Sequence, residues 1–424
     1  MLLIYNILVI FAFILLMPFF IWKYKSGVFG KIFIGIKERF GFYDIETGKY
    51  ILLHASSLGE LKTVSEFIFL LKKSLPGKKL LVLTMTPYGY QYAIEKKLGD
   101  GVVFAPIDLP FCVENMFKKI APEMLIMVES EMWPNIIFSA KKKGAKIVSI
   151  NTRMSDKSFK RYLLIKEFVA EILLKMDAVC AREDSDAKKI LELSYGRAKV
   201  TKTGNMKYDS RKGVFVSKTG KDYGFTDADM IFAAGSTREN EEKIVIDVYK
   251  RLLEHFPGLK LIVAPRYPER CAEVENILSE AGIKFIRKTS MSGISSANNY
   301  DCLIIDTIGE LMDVYSAATV VFVGGSLFSG AGGHNILEPA QFGKPVIFGS
   351  FMSNFDEPAK AMIAGNAAFQ VNNEEEFYSS AFKLFSDEKL RSNMGIRARE
   401  IVASRIGATE RNVEIVKGLL SESN

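Results

Sequence analysis

The fold class predicted from the sequence is α/β: two doubly wound, Rossmann-like domains facing each other across a cleft, preceded by an N-terminal membrane anchor helix. Three observations predict it. The 424 residues exceed what a single hydrophobic core ordinarily holds. From residue 50 onward, short apolar runs alternate with amphipathic stretches, the pattern of buried parallel strands joined by crossover helices. One polar, glycine-containing stretch interrupts that alternation near the middle, between two series of strands.

The anchor comes first. "MLLIYNILVIFAFILLMPFFIW" is apolar along its length except for Asn6, and its length suits the roughly 20 residues that cross a bilayer. A cleaved leader would open on basic residues and end at a small-residue site, and neither feature is present. Lys23, Lys25, Lys31, Lys37 and Arg39 follow the run, so the positive-inside rule expects the rest of the chain in the cytoplasm. A helix lying in the membrane surface is the alternative. Next, "YILLHAS", "KLLVLTMT", "GVVFAP", "MLIMVES", "KIVSIN" and "AVCARE" read as strands, with crossover helices such as "PNIIFSAKKKG" between them. The polar stretch "SRKGVFVSKTGKDYGF" reads as a linker, and "MIFAAGST", "LKLIVAPR", "DCLIID", "TVVFVGGS", "PVIFG" and "AAFQV" form a second series. The expected division is an anchor at 1–22, a first domain at 23–208, a linker at 209–226 and a second domain at 227–424, closed by a charged helical stretch from about Asp387.

Composition narrows the function classes. A formal charge of +7 leans toward anionic partners, but no long Lys/Arg block interleaved with aromatics argues for nucleic acid. Cys112, Cys180, Cys271 and Cys302 lack CxxC spacing, which excludes a disulfide framework or a cysteine zinc site. With three histidines a histidine-based metal centre is not expected either. The triplets "DSD" (Asp184–Asp186) and "DAD" (Asp227–Asp229) sit in polar stretches leading into new elements, where capping is the simpler role.

The unusual residues fall after strands, where open α/β sheets bind ligands. "HASSLGE" puts His54, Ser56, Ser57 and Glu60 on a strand-to-helix turn; without a GxSxG elbow, the carboxylate fits better as a base than the serines as nucleophiles. "ESEMWPN" places Glu129 and Glu131 at a strand end on one face, with capping as the alternative. "GNMKYD" offers Lys207 at the domain junction, where a cation could meet developing negative charge or simply be solvated. Arg266 in "APRYPER" could grip a phosphate or carboxylate bidentately, or be a surface arginine. "DTIGEL" is expected to start a helix at Gly309 beside Glu310, unless Asp306 or Thr307 is only a cap. In "GGSLFSGAGGHNILEP" a strand at Val320–Val323 gives way to a glycine loop and a helix from about Asn335 to Phe342. That helix start is expected to bind a phosphate, with Glu338 accepting from ribose hydroxyls; turn geometry alone could also explain the glycines.

Taken in order, HxxSxGE, ExEMWPN, NTRxS, GNxKYD, GST, APRxPER, DTxGEL and GGHNxLEPA resemble the 3-deoxy-D-manno-octulosonic acid (Kdo) transferases of lipopolysaccharide biosynthesis, from the anchor to about Asn354. The resemblance implies a GT-B glycosyltransferase on the cytoplasmic face of a Gram-negative inner membrane. It implies transfer of Kdo from CMP-Kdo to a lipid A precursor (lipid IVA), with inversion and without a bound metal or other cofactor. It also implies Glu60 as base and Glu129 and Lys207 as transition-state-stabilising groups. CMP contacts would come from Pro265, Arg266, Ile308, Gly309, Glu310, Asn335, Ile336, Leu337 and Glu338. The chain departs from the family where Tyr267 and Arg238 replace histidines and where Ser56 stands in place of a common valine.

For the chemistry, the expectation is that Glu60 stays ionised because the helix dipole favours its charge, making it a weak base. Competing readings are a GT-B enzyme using a UDP-sugar and another lipid acceptor, a nicotinamide-dependent oxidoreductase and an inactive membrane-tethered binding protein. The oxidoreductase needs an early GxGxxG that "HASSLGE" does not supply.

Overall fold

A computed structural model of the chain describes residues 1–25, 34–209, 217–226, 228–291 and 300–421. The first series of apolar runs becomes β1 (Gly48–His54), β2 (Leu80–Thr84), β3 (Gly101–Phe104), β4 (Ile120–Val128), β5 (Lys146–Thr152), β6 (Ala178–Ala181) and β7 (Val200–Lys202). They form one sheet in the order β3-β2-β1-β4-β5-β6-β7, every pair parallel. Continuous apolar runs are what a sheet covered on both faces requires, and β2 and β6 bury every residue. One core lies on each face: Leu52, Leu125 and Ile147 belong to one, Leu53, Ile126 and Val148 to the other.

The second series gives β8 (Ile231–Thr237), β9 (Lys260–Pro265), β10 (Phe285–Arg287), β11 (Cys302–Ile304), β12 (Val320–Val323), β13 (Val346–Gly349) and β14 (Ala368–Val371). Their order is β10-β11-β9-β8-β12-β13-β14, again all parallel. Both sheets therefore carry the doubly wound topology expected. In each, the direction of winding reverses once, between β1 and β4 in the first and between β8 and β12 in the second. Those reversals open crevices at the carboxyl ends of the strands, where such sheets bind ligands.

The chain divides into two compact units, 1–212 with 405–424 and 213–404. The second therefore does not run to residue 424, as 227–424 expected. The last helix, Ala408–Ser421, lays Ala408, Val413, Val416 and Leu420 into the core that holds Leu61, Val64 and Phe67. Its start is fixed by the buried Asp209 carboxylate, which accepts from the backbone N–H of Gly407 (2.7 Å) and Thr409 (2.6 Å). Of the expected linker 209–226, residues 210–216 lie outside the described residues, and Asp209 belongs to the first unit. The stretch 217–226 folds into the second: Tyr300 donates its hydroxyl to the Tyr223 carbonyl, and Lys218 N–H bonds Ser316 Oγ.

The membrane-crossing anchor is not supported. Among the described residues no helix is long and apolar enough to cross a membrane. A helix does form over Leu2–Lys25, but one of its stripes is committed to the first unit. Tyr5 donates to Asp108 (2.9 Å) and packs on Phe168, Leu2 joins the core, and the rings of Phe13 and Phe40 lie 6.2 Å apart. The opposite stripe, with Leu3, Ile7, Leu8, Phe11, Ile14 and Leu15, is exposed.

Candidate active site

In the first unit β1 ends at His54, and Ser57 caps the helix Leu58–Ser74 that follows. The S-x-x-E spacing explains the local structure: Ser57 Oγ accepts from Glu60 N–H and donates to Glu60 Oε1 (3.2 Å). Glu60 Oε2 takes the Ser56 N–H at 2.7 Å. Both carboxylate oxygens are thus held on the first helical turn at the β1/β4 reversal.

From β4 the chain brings two more acids. Glu129 adopts φ 59°, a left-handed conformation rare for a glutamate, and Asn151 does the same with φ 52° near the end of β5. Strain of this kind concentrates at functional sites. Glu129 forms an ion pair with the buried Arg182 at the end of β6, whose Nε donates to the Asn151 carbonyl. Asn151 Oδ1 accepts from Met206 N–H, which fixes the short helix Met206–Asp209 that carries the half-buried Lys207. Glu131 accepts from the Trp133 indole N–H. The Ser56 hydroxyl lies against Glu131 as well, buried and without a well-formed hydrogen bond.

The electrostatics correct one expectation. Burial pushes the Glu60 carboxyl up to about 7, and Glu131 and then Glu129 push the same way, against the bonds from Ser56 and Ser57. Burial raises Glu131 too. The helix dipole is therefore not what sets the charge of Glu60, which is a stronger base than a solvated carboxylate. His54 is buried and held down to about 4 by desolvation, so it is neutral at pH 7 and packs near Trp133. Arg182 is the residue the sequence reading missed; "AVCARE" marked a strand end and nothing more.

In the second unit the glycine loop is built differently from the expectation. Its N–H groups at Gly325 (2.6 Å), Ser326 (2.9 Å) and Leu327 (2.9 Å) all point to the carboxylate of Glu241, which also takes Arg238 N–H. An internal carboxylate thus shapes the beginning of the glycine loop, ahead of the helix start at Asn335 where the phosphate was expected. Gly325 and Gly333 face protein: a Cβ on Gly325 would meet His334 Cδ2 at 2.6 Å, and one on Gly333 would meet Met352 Sδ at 2.4 Å. The helix expected from Asn335 to Phe342 spans only Leu337–Gln341, with Asn335 Oδ1 accepting from Leu337 N–H and its amide donating to Glu338. Five residues carry little dipole, so this helix start is a weak anion site.

Arg266 is exposed just past Pro265 at the end of β9, its N–H bonded to the Thr237 carbonyl. The helix expected at Gly309 starts at Leu311 with Glu310 as its cap, and Glu310 accepts from Thr307 Oγ1. Ile308 is 88% exposed, and Gly309 takes φ 101°, which a side chain would resist. Asp306 caps nothing there; it accepts from Thr289 N–H and Oγ1. A cavity of about 690 Å³ lined by Gly330–Gly332, Ser350–Asn354, Lys360 and Gln370 contains none of the expected donor residues.

Among the described residues no three His, Cys, Asp or Glu side chains gather to hold a metal ion. In "DSD", Asp184 pairs with Lys202 and Asp186 accepts from Met154 N–H. In "DAD", Asp229 accepts from Thr226, and residue 227 lies outside the described residues.

Comparison with known proteins identifies the family. Residues 35–210 match the family described as 3-deoxy-D-manno-octulosonic-acid transferase (kdotransferase). The chain is 30% identical over 341 residues to the 3-deoxy-D-manno-octulosonic acid transferase of Rickettsia prowazekii, covering 79% of this chain and 72% of that one. It is 32% identical over 394 residues to a bifunctional glycosyltransferase/methyltransferase of Fusobacterium nucleatum. That match takes in 91% of this chain and spans 59% of the longer relative's length. Among solved structures, S. aureus MnaA in its UDP co-structure superposes with a TM-score of 0.56 at 16% identity, over 88% of this chain and 97% of that one, a likeness of fold. The chain belongs to the 3-deoxy-D-manno-octulosonic acid transferase family, glycosyltransferases that transfer Kdo in lipopolysaccharide biosynthesis.

Proposed function

We propose that the protein transfers Kdo from CMP-Kdo to a hydroxyl of a lipid A precursor, with inversion and without a bound metal. The observation that carries this reading is Glu60: a carboxylate held at both oxygens, raised to about 7, and set beside two further acids at a switch point. A sugar hydroxyl is a poor nucleophile, and a base with a pKa near the working pH is the most effective at taking its proton. Glu60 takes that proton as the hydroxyl oxygen bonds to the anomeric carbon of Kdo. The bond from that carbon to the phosphate oxygen breaks, and CMP leaves with the electron pair. Arg266 balances the charge on the departing phosphate, with Lys207 as a second cation. Glu129, oriented by Arg182, stabilises positive charge on the sugar ring. The remaining donor contacts are assigned to Pro265, Ile308–Glu310 and Asn335–Glu338, with Asn335 and Glu338 offering polar groups to the ribose.

The reading extends to location. The exposed apolar stripe of the Leu2–Lys25 helix is proposed to lie in the cytoplasmic surface of the inner membrane, its other stripe seated on the first unit. This arrangement would bring the protein to its lipid acceptor without crossing the bilayer.

Incubation with CMP-Kdo and a tetra-acylated lipid A precursor should give a product heavier by whole Kdo units. Inhibition by CMP and not by UDP separates this reading from a UDP-sugar transferase. Activity abolished by EDTA and restored by Mg²⁺ would overturn the metal-free part.

A further inference from the structure

The reversal between β8 and β12 holds a cluster that the donor contacts above leave unused. Arg238 follows β8, and its backbone is tied through the Glu241 carboxylate to the same amides that shape the glycine loop. Its half-buried guanidinium lies 4.9 Å from the centroid of the Tyr267 ring. Its Nε donates to Nε2 of His334 at 3.4 Å. The guanidinium of Arg266 lies 5.9 Å from the same ring, so the two cations are at most about 11 Å apart. Among the described residues no carboxylate pairs with either arginine; of the other arginines of this unit, Arg251, Arg270 and Arg287 hold carboxylates, and Arg391 and Arg397 donate to backbone carbonyls.

The way Arg238 is held points to a ligand. An arginine held by a ring and an imidazole, with its terminal Nη fork left over, is preorganised for a planar, bidentate anion. It stands at the crevice where such a sheet binds ligands. Resting on the CMP-Kdo reading, the chemistry of the donor supplies the match. CMP-Kdo carries two negative charges, one on the phosphodiester and one on the carboxylate borne by the anomeric carbon itself. One guanidinium for each charge accounts for two arginines beside one ring. Arg266 is the exposed partner, suited to a phosphate that must leave, and Arg238 is the fixed one, suited to a group that stays on the sugar.

We propose that Arg238, oriented by His334 and Tyr267, is the subsite for the carboxylate of the donor sugar and sets the preference for a sugar acid over neutral sugars.

The test is initial-rate kinetics on the full-length protein, reading KM for CMP-Kdo, kcat and the inhibition constant of CMP. Arg238→Gln should raise KM for CMP-Kdo about 10–100-fold and leave the inhibition constant of CMP within about twofold, because CMP lacks the carboxylate. Arg266→Ala should raise both. Arg238→Lys, which keeps the charge but not the fork, should fall between wild type and Arg238→Gln and carries the test if the glutamine variant does not fold. An unchanged KM in Arg238→Gln, or a CMP inhibition constant that rises in step with KM, overturns this assignment alone. Wild-type protein that neither transfers Kdo nor responds to CMP overturns the donor reading and this assignment with it.

Discussion

Replacing Glu60 by glutamine should separate catalysis from stability with opposite signs. The Glu60 carboxyl stands at about 7 against an ordinary 4.5. At about 1.36 kcal/mol per pKa unit this displacement is worth at most ~3 kcal/mol, and solvent screening at a half-buried site reduces it to ~1–2 kcal/mol. The sign follows from linkage. A carboxyl raised in the folded state holds its proton there after the unfolded chain has lost it, so stability falls as pH rises from about 4.5 to 7 and stays reduced above. The substituted amide has no charge to desolvate, its carbonyl oxygen can accept from Ser56 N–H, and its NH₂ group can donate to Ser57. Glu60→Gln should therefore raise Tm by about 2–6 °C at pH 8.5, with a smaller gain at pH 5.5. The same change should cut transfer by about 10²–10⁴-fold. Calorimetry at the two pH values and a transfer assay read both effects. A Tm at pH 8.5 that is unchanged or lower refutes the electrostatic argument, and near-normal turnover refutes the assignment of the base.

Three further outcomes follow from the same geometry. Glu131→Gln removes a like charge from Glu60, so the acidic limb of the pH–rate profile should move to lower pH; burial is the larger cause, so the move should be less than about one pH unit. Glu241→Ala strips the acceptor from four backbone amides and should destabilise the second unit by at least ~3 kcal/mol, measured by denaturant titration. Leu8→Glu with Phe11→Glu should leave Tm within about 2 °C, because both side chains are exposed, and should abolish flotation with liposomes of anionic lipid.

The two sheets were legible because buried parallel strands are written as apolar runs. β10 was not: Phe285, Ile286 and Arg287 are all half-buried at a sheet edge and leave no such run. The acids of the first unit were legible from their places after β1 and β4. The charge state of Glu60 was not, because its carboxyl answers first to burial and then to Glu131 and Glu129, which follow a different strand. The role of Glu241 was invisible for the same reason: it lies 84 residues before the first of the glycine-loop amides it binds. The last helix was read as helical but assigned to the wrong unit, since an amphipathic face announces that it will be buried and not against which sheet.

The return of the final helix to the first unit makes the order of synthesis matter. Residues 213–404 are an insertion within another folding unit. When the first seven strands have left the ribosome, the side of their core around Leu61, Val64 and Phe67 still lacks the helix that will supply Val413, Val416 and Leu420. The inserted unit has all its strands in one continuous stretch and can fold as it emerges. The first unit, though made first, is completed last. A protein trimmed after residue 404 would keep every catalytic acid and expose that apolar face, so its failure would show as aggregation rather than as defective chemistry.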